Sequence, residues 1–279
     1  MKPAPLAYRR PASVEEACAL LAEGGYAKVV AGGQSLVPLL NFRLATPDLL
    51  VDLRDVPGLD AIRVDADAVR VGAMATQRAL ERDAAALAAC PLLALALPHV
   101  GHTTTRNRGT VGGTIAHADP AAELPCVLAC LDGEADVVGT AGPRTIPAAE
   151  LFVTHLTSSL ADDEVLTEVR FPVLPAGWGF GFREVAQRHG DYAMAMAAVA
   201  VRLDGRRPAE ARVAVGAVAD RPLRLPEVEA AIVAGASADD LRAVVAGALD
   251  PPDAPHAPAD YRRALAGTLV VRALGEAGA

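Results

Sequence analysis

Residues 27–40 read AKVVAGGQSLVPLL: a β-prone run from Ala27 to Ala31, the pair Gly32-Gly33, then Ser35 opening a helix that carries Leu36, Leu39 and Leu40. Apolar residues at that spacing mark one buried face of a helix. Pro38 falls in the first turn, where a proline is tolerated. On the N-terminal side, Ser13 with Glu16 makes a capping box, and Val14, Ala17, Leu20 and Leu21 recur at helical spacing up to a stop at Gly24-Gly25. On the C-terminal side, LLVDL (49–53) reads as a buried strand. The β-α-β-α-β order implies a small parallel sheet.

The texture changes after Val56. AIRVDADAVRVGA (61–73) is two short strands around an acidic turn. Thr76 opens a helix, and Asp83 caps another that runs to about Leu97. GHTTTRNRGTVGGT (101–114) follows, a polar and basic loop rich in Gly and Thr. A helix over Ala121–Leu131 precedes strands near Ala135–Gly139 and Glu164–Phe171. PVLPAG (172–177) is a linker, so the expected domains are 1–174, in two parts with a break near 56, and 175–279. Beyond it FGFREVAQR, AMAAVAVRLD and ARVAVGAVA read as three strands of an antiparallel meander, and helices over 226–234, 238–249 and 260–275 close the chain.

The 279 residues are 52% hydrophobic, enough for a substantial core. The net charge of −8 argues against a nucleic-acid partner. No run is long and apolar enough to span a bilayer, and the first residues lack the apolar core of a secretory signal, so the expectation is a cytoplasmic chain. Cys126 and Cys130 lie one helical turn apart in LPCVLACL; an isolated pair cannot complete a zinc or iron–sulfur site, so these and Cys18 and Cys90 read as core thiols.

Two loops carry the chemistry. Ala31-Gly32-Gly33-Gln34-Ser35 lies between strand and helix, where paired glycines admit close approach and the helix start leaves N–H groups free for an anion. Ser35 has two readings, helix cap or donor to a phosphate oxygen. Thr110-Val111-Gly112-Gly113-Thr114 again pairs glycines with hydroxyls. Either loop alone reads as a tight turn; two together suit a dinucleotide, which presents two phosphates. There is no G-x-G-x-x-G fingerprint in a Rossmann setting, no Walker lysine loop and no G-x-S-x-G elbow.

Taken together, YRRPASVEEACALL (8–21), AGGQSLVPLLNFRLATPDLLVDLRDVPGL (31–59), RNRGTVGGTIAHADPAAELP (106–125), EVLTEVRFP (164–172), QRHGDYAMA (187–195) and YRRALAGTLVVRAL (261–274) resemble the FAD-binding medium subunit of the xanthine dehydrogenase and aerobic carbon monoxide dehydrogenase family, over essentially the whole chain. The resemblance implies an α+β protein: a two-part FAD-binding domain of the vanillyl-alcohol-oxidase type, then a small C-terminal domain with a three-stranded antiparallel sheet and helices. It implies non-covalent FAD, with Ala31 to Leu36 and Thr110 to Thr114 wrapping the diphosphate and Asp119 and Glu123 in the segment near the ribose. Glu123 stands where the family usually has Asp. Tyr192, Leu166 and Arg170 fall near the flavin ring by the same analogy, and Tyr192 alternatively reads as a half-buried strand aromatic. The implied partners are a small subunit with [2Fe-2S] clusters and a large subunit with a molybdopterin cofactor, as a dimer of heterotrimers. Electrons would pass from the clusters to FAD and on to an external acceptor, with no catalytic acid or base here. His117 reads as a packing or hydrogen-bonding residue, His99 and His102 as loop hydrogen bonders, and Arg183 and Arg188 as solvated strand residues. A stand-alone FAD oxidoreductase, or a non-catalytic nucleotide-binding or assembly protein, remain the alternatives.

Overall fold

The computed structural model describes residues 1–253 and 257–278. The chain begins with β1 (Ala7–Arg9), α1 (Val14–Ala22), β2 (Ala27–Val30), α2 (Leu36–Asn41) and β3 (Leu49–Asp52). The strands form a three-stranded parallel sheet in the order β1-β3-β2. The first strand had no clear sequence signal because all its residues are exposed. Ser13 caps α1 through the Glu16 N–H, but the Glu16 carboxylate reaches one residue further back than a capping box requires, accepting from the Ala12 N–H at 2.7 Å.

Next come β4 (Ile62–Val64), β5 (Ala68–Gly72), α3 (Gln77–Arg82), α4 (Ala84–Ala89), α5 (Pro91–Ala96), α6 (Thr103–Arg106), α7 (Val111–His117), α8 (Glu123–Leu131), β6 (Glu134–Gly139), β7 (Gly142–Pro147), α9 (Ala148–Leu151), β8 (Phe152–Thr154), β9 (Thr157–Ser158) and β10 (Val165–Pro172). Here β4-β5-β10-β6-β7 form an antiparallel sheet, with β8-β9 a separate pair. The helix expected from Asp83 to Leu97 is broken at Cys90, because Pro91 cannot continue the ladder and instead starts α5. The Gly/Thr segment expected as a loop is largely helical: Thr110 caps α7 through the Gly113 N–H at 3.0 Å.

The last part holds β11 (Trp178–Ala186), β12 (Ala193–Asp204), β13 (Arg207–Gly216), β14 (Leu223–Arg224), α10 (Pro226–Val233), α11 (Ala238–Gly247) and α12 (Ala259–Glu276). The meander has the expected three long strands, joined by the two-residue β14. β12 is buried on both faces, which explains its nearly unbroken apolar sequence. Phe182, Met196, Ala198 and Ala214 join the core built on α5, α8 and β10, whereas Ala197, Val199, Val201, Val213 and Val215 pack against α10–α12. One sheet therefore serves two cores. All four cysteines are free and buried, and burial pushes the Cys90 and Cys130 thiols up to about 12, as inert core thiols require.

Helix α12 lies so close on β11 that a Cβ on Gly181 would stand 2.0 Å from the Ala273 carbonyl oxygen, and one on Gly179 2.0 Å from that of Ala277. Gly181→Ala must push the helix away, and overpacking of this kind costs roughly 1–3 kcal/mol. A lowered melting temperature is expected, and an unchanged one would show that α12 is not tightly seated.

Candidate functional site

The two glycine loops meet, and they do different work. In the first, Gly33 adopts φ +71°, and the N–H groups of Gly33, Gln34, Ser35 and Leu36 donate to no main-chain acceptor. Gln34 turns back to the Gly32 carbonyl at 3.1 Å. Ser35 makes no side-chain cap, so of its two readings the structure sets helix capping aside. In the second loop the amides are already engaged: Val111 donates to Ala75 O at 2.9 Å, Gly112 to Ala73 O at 3.1 Å, and Thr114 to Thr110 O at 3.1 Å. Its glycines serve close approach instead. A Cβ on Gly112 would lie 2.5 Å from Ala73 Cα, and one on Gly113 2.8 Å from Thr110 Oγ1 of its own loop. A Cβ on Gly32 would sit 2.1 Å from the Arg108 carbonyl oxygen. The first loop therefore meets the turn just before the second, Arg108–Gly109, backbone on backbone.

Between them opens a cleft of about 290 Å³, lined by Ala31, Gly32, Arg54, Met74, Thr76, Asn107, Arg108 and Thr110. Arg54 and Arg108 are exposed cations on this wall of an acidic protein. Arg54 is held by the fully buried Asp52, which accepts from its Nε at 2.7 Å and its main-chain N–H at 2.9 Å and also accepts from the Tyr8 hydroxyl. Gln77 braces the second loop: its Nε2 donates to Thr114 Oγ1 at 2.7 Å and its main-chain N–H to Gly109 O at 2.8 Å. Sequence reading picked out neither Arg54 nor Gln77. The only trace of Arg54 was an arginine just after a buried strand, and Gln77 gave none. Buried Arg106 pairs with Glu81 at 3.0 Å and donates to the Val100 and Gly101 carbonyls, fixing the turn before Arg108.

The remaining candidates lie elsewhere. Asp119 follows α7 and accepts from the Ala121 N–H at 2.9 Å. Glu123 opens α8 and is 7% exposed; burial, with the charge of Asp119, raises its pKa to about 7. Facing it from β11, Glu184 has a buried Oε2 without a partner; burial, then the charge of Glu123, raises its pKa to about 8. Tyr192, on the β11–β12 connection, is 70% exposed rather than half-buried; packing beneath it, then Asp119 and Glu123, raises its phenol. That connection is seated on His102: the His102 and His189 ring centroids are 6.5 Å apart, and a Cβ on Gly190 would stand 2.5 Å from the His102 ring. His99 packs on Phe182 at 5.4 Å, so both histidines act through ring packing instead of the expected loop hydrogen bonds. His117 is half-buried, and burial lowers its pKa. Leu166 is buried in the core, and Arg170 is committed to Asp136 and Glu134 across the sheet. None of Asp119, Glu123, Leu166 or Tyr192 lines the cleft.

Among the described residues no cluster of His, Cys, Asp or Glu has the makings of a metal site, and no helix is long and apolar enough to cross a membrane. Residues 4–174 match the FAD binding domain in molybdopterin dehydrogenase, which sets the class, a flavin-binding protein. Residues 180–277 match the CO dehydrogenase flavoprotein C-terminal domain. The chain is 40% identical to the nicotine 6-hydroxylase medium subunit of Paenarthrobacter nicotinovorans, over 100% of this chain and 99% of that one. It superposes on carbon monoxide dehydrogenase from Hydrogenophaga pseudoflava with a TM-score of 0.95 at 35% identity, covering 99% of this chain and 98% of that one. For quinoline 2-oxidoreductase from Pseudomonas putida 86 the TM-score is 0.93 at 37% identity, covering 99% and 98%. The chain belongs to the family of FAD-binding medium subunits of molybdenum hydroxylases, and is thus an oxidoreductase subunit.

The two raised carboxyls make stability depend on pH. A glutamate whose folded pKa exceeds its ordinary value of 4.5 binds more protons folded than unfolded in between, so its contribution is complete at low pH and lost as pH rises through about 7 to 8. The cofactor-free chain should therefore melt lower at about pH 8.5 than at about pH 5, and Glu184→Gln should flatten that limb. Parallel melting curves of the two proteins would expose an error as equal slopes.

Proposed function

We propose that this chain is the FAD-carrying electron-transfer subunit of a molybdenum hydroxylase, with residues 1–174 forming the FAD-binding domain and 175–279 the C-terminal domain. The observation that carries the reading is the cleft, where Ala31 and Gly32 line one wall with Arg54 and Arg108, and the chain runs straight on from Gly32 into the free amides of Gly33 to Leu36. A diphosphate needs such donors, local positive charge and little side-chain bulk. The residues present fit the group: a side chain at Gly32 would drive the first loop off the Arg108–Gly109 backbone, and one at Gly112 would drive the second off Ala73. Thr110 lines the second wall and Ala31 the first, and Val111 and Thr114, like Gln34 and Ser35, continue the two loops beyond the cleft lining. Asp119 and Glu123 would reach the ribose side, with Leu166 and Tyr192 toward the ring.

Bound there without a covalent link, FAD supplies the redox chemistry, carrying electrons from [2Fe-2S] clusters of a small partner subunit, fed by a molybdopterin-bearing large subunit, to an external acceptor. This chain's residues bind and orient. Asp52 holds Arg54 toward the cleft, Gln77 and Arg106 fix the second loop, and His102 seats the segment that carries Tyr192. The whole would assemble as a dimer of heterotrimers in the cytoplasm.

The purified chain should take up FAD, show flavin absorption bands and release the pigment to the supernatant on heating. In the assembled complex, substrate should bleach those bands and an acceptor restore them. Pigment retained by the precipitate would mean a covalent link and reopen the role of His117. A chain that takes up no flavin even with its partners would favour a non-catalytic role. Turnover by the lone chain would favour a stand-alone oxidoreductase.

Arg108 is exposed and pairs with no carboxylate among the described residues, so its removal should leave the fold intact. Loss of a charge-assisted contact is worth about 1.5–3 kcal/mol, so Arg108→Ala should weaken FAD binding about tenfold or more. Arg54→Ala should act in the same direction. Fluorescence titration of the cofactor-free proteins measures both, and unchanged affinity in both variants would rule the cleft out as the diphosphate site.

A further inference from the structure

Asp52 ends β3, and among the described residues it is the one acidic side chain with no exposure at all. A carboxylate so placed must be fully hydrogen-bonded. Three donors converge on it, and its two oxygens do separate work. Oδ1 accepts from the Arg54 main-chain N–H at 2.9 Å and closes the turn that follows β3, a bond that an Asp or an Asn makes equally well. Oδ2 accepts from Arg54 Nε at 2.7 Å and also from the Tyr8 hydroxyl. The Oδ2 bonds shape no backbone. They join side chains from two different segments: Tyr8 of β1 pairs with Leu50, and Asp52 lies two residues further along β3 on the same face.

Arg54 is left anchored yet open. Its side chain is 53% exposed and lines the cleft, and its Nε is taken by Asp52. Nη1 and Nη2 donate to no group among the described residues. A guanidinium held at Nε offers its terminal nitrogens as a rigid fork that matches two oxygens of a phosphate. Arg108 lines the same cleft but its side chain has no anchoring partner among the described residues. The contrast is informative, because Asp52 cancels part of the Arg54 charge. A residue needed only to attract an anion gains nothing from that neighbour. What Asp52 supplies instead is direction.

We propose that Tyr8 and Asp52 are positioning residues for the diphosphate: together they fix Arg54 by its Nε, so that its two terminal nitrogens grip one phosphate group of FAD. The proposal rests on the FAD reading above. Holding the long side chain in place before the cofactor arrives lowers the ordering cost of binding. Orientation and charge then separate under substitution. Arg54→Lys keeps the charge but loses the fork, since an ammonium cannot hold Asp52 and bracket a phosphate in that way. Arg108→Lys keeps all that an unanchored cation provides.

The test is fluorescence titration of the full-length cofactor-free chain and its variants with FAD, with melting curves alongside. Arg54→Lys should lose nearly as much affinity as Arg54→Ala, about tenfold or more, whereas Arg108→Lys should stay within about threefold of the wild type. Asp52→Asn keeps the turn-closing oxygen and places an amide where Oδ2 was; it should weaken binding about fivefold, and Tyr8→Phe about threefold. Both effects should vanish in the Arg54→Ala background, because the pair acts only through that arginine. Wild-type affinity in Arg54→Lys would overturn the proposal, leaving Arg54 as a charge alone. So would equal weakening by Asp52→Asn and Tyr8→Phe with and without Arg54, which would assign both residues to the fold. If Asp52→Asn does not fold, Tyr8→Phe at its half-exposed position carries the same comparison. A wild-type chain that binds no FAD, even with its partners, would reject the cofactor reading and this proposal with it. Weakening by Arg54→Ala without any effect of Arg54→Lys would reject the proposal alone.

Discussion

The contact of Gly32 with the Arg108 carbonyl is the constraint on which the rest of the arrangement depends. The space for a Cβ at Gly32 is taken by main-chain atoms, so the parallel sheet and the helical segment around α6 and α7 meet as bare backbone. That closeness defines the cleft and sets Arg54 on one side and Arg108 on the other. Supports radiate from the contact. Asp52 fixes Arg54, Gln77 ties α3 to Thr114 and Gly109, and Arg106 binds the turn in between to Glu81.

A second seam lies where α8 meets the C-terminal sheet. Ala217, with φ 63°, donates its N–H to the Pro120 carbonyl at 2.7 Å, so the end of β13 is linked directly to the segment between α7 and α8. Buried Arg262 of α12 donates to the Ala217, Met194 and Pro252 carbonyls. Through these bonds the C-terminal helix reaches the residues beside Asp119 and Glu123. The C-terminal sheet is therefore more than an appendage: its inner face completes the core beneath α8, and its edge supplies Glu184 and Tyr192.

Much of this was legible in order of appearance. Glycine pairs flanked by a β-prone run and a leucine-spaced helix marked the first loop, and the three long C-terminal strands announced themselves by length and turns. Elements without a strong local signal escaped. β1 is short and exposed, and the helices α6 and α7 are built from Thr and Gly, poor helix formers sustained here by caps and packing. Arg54 and Gln77 look like ordinary surface and helix residues until the fold brings them to the loops.

The sequence by itself determined the family, the two glycine loops and the order of strands and helices, because periodicity, capping and glycine placement are local properties of the chain. Only the tertiary structure decided that the first loop keeps free amides while the second uses its own, since hydrogen-bond partners such as Ala73 and Ala75 lie on another segment. It alone brought Tyr8 to Asp52. Side chains 44 residues apart meet there only because β1 pairs with β3, and no local pattern of the chain encodes that pairing.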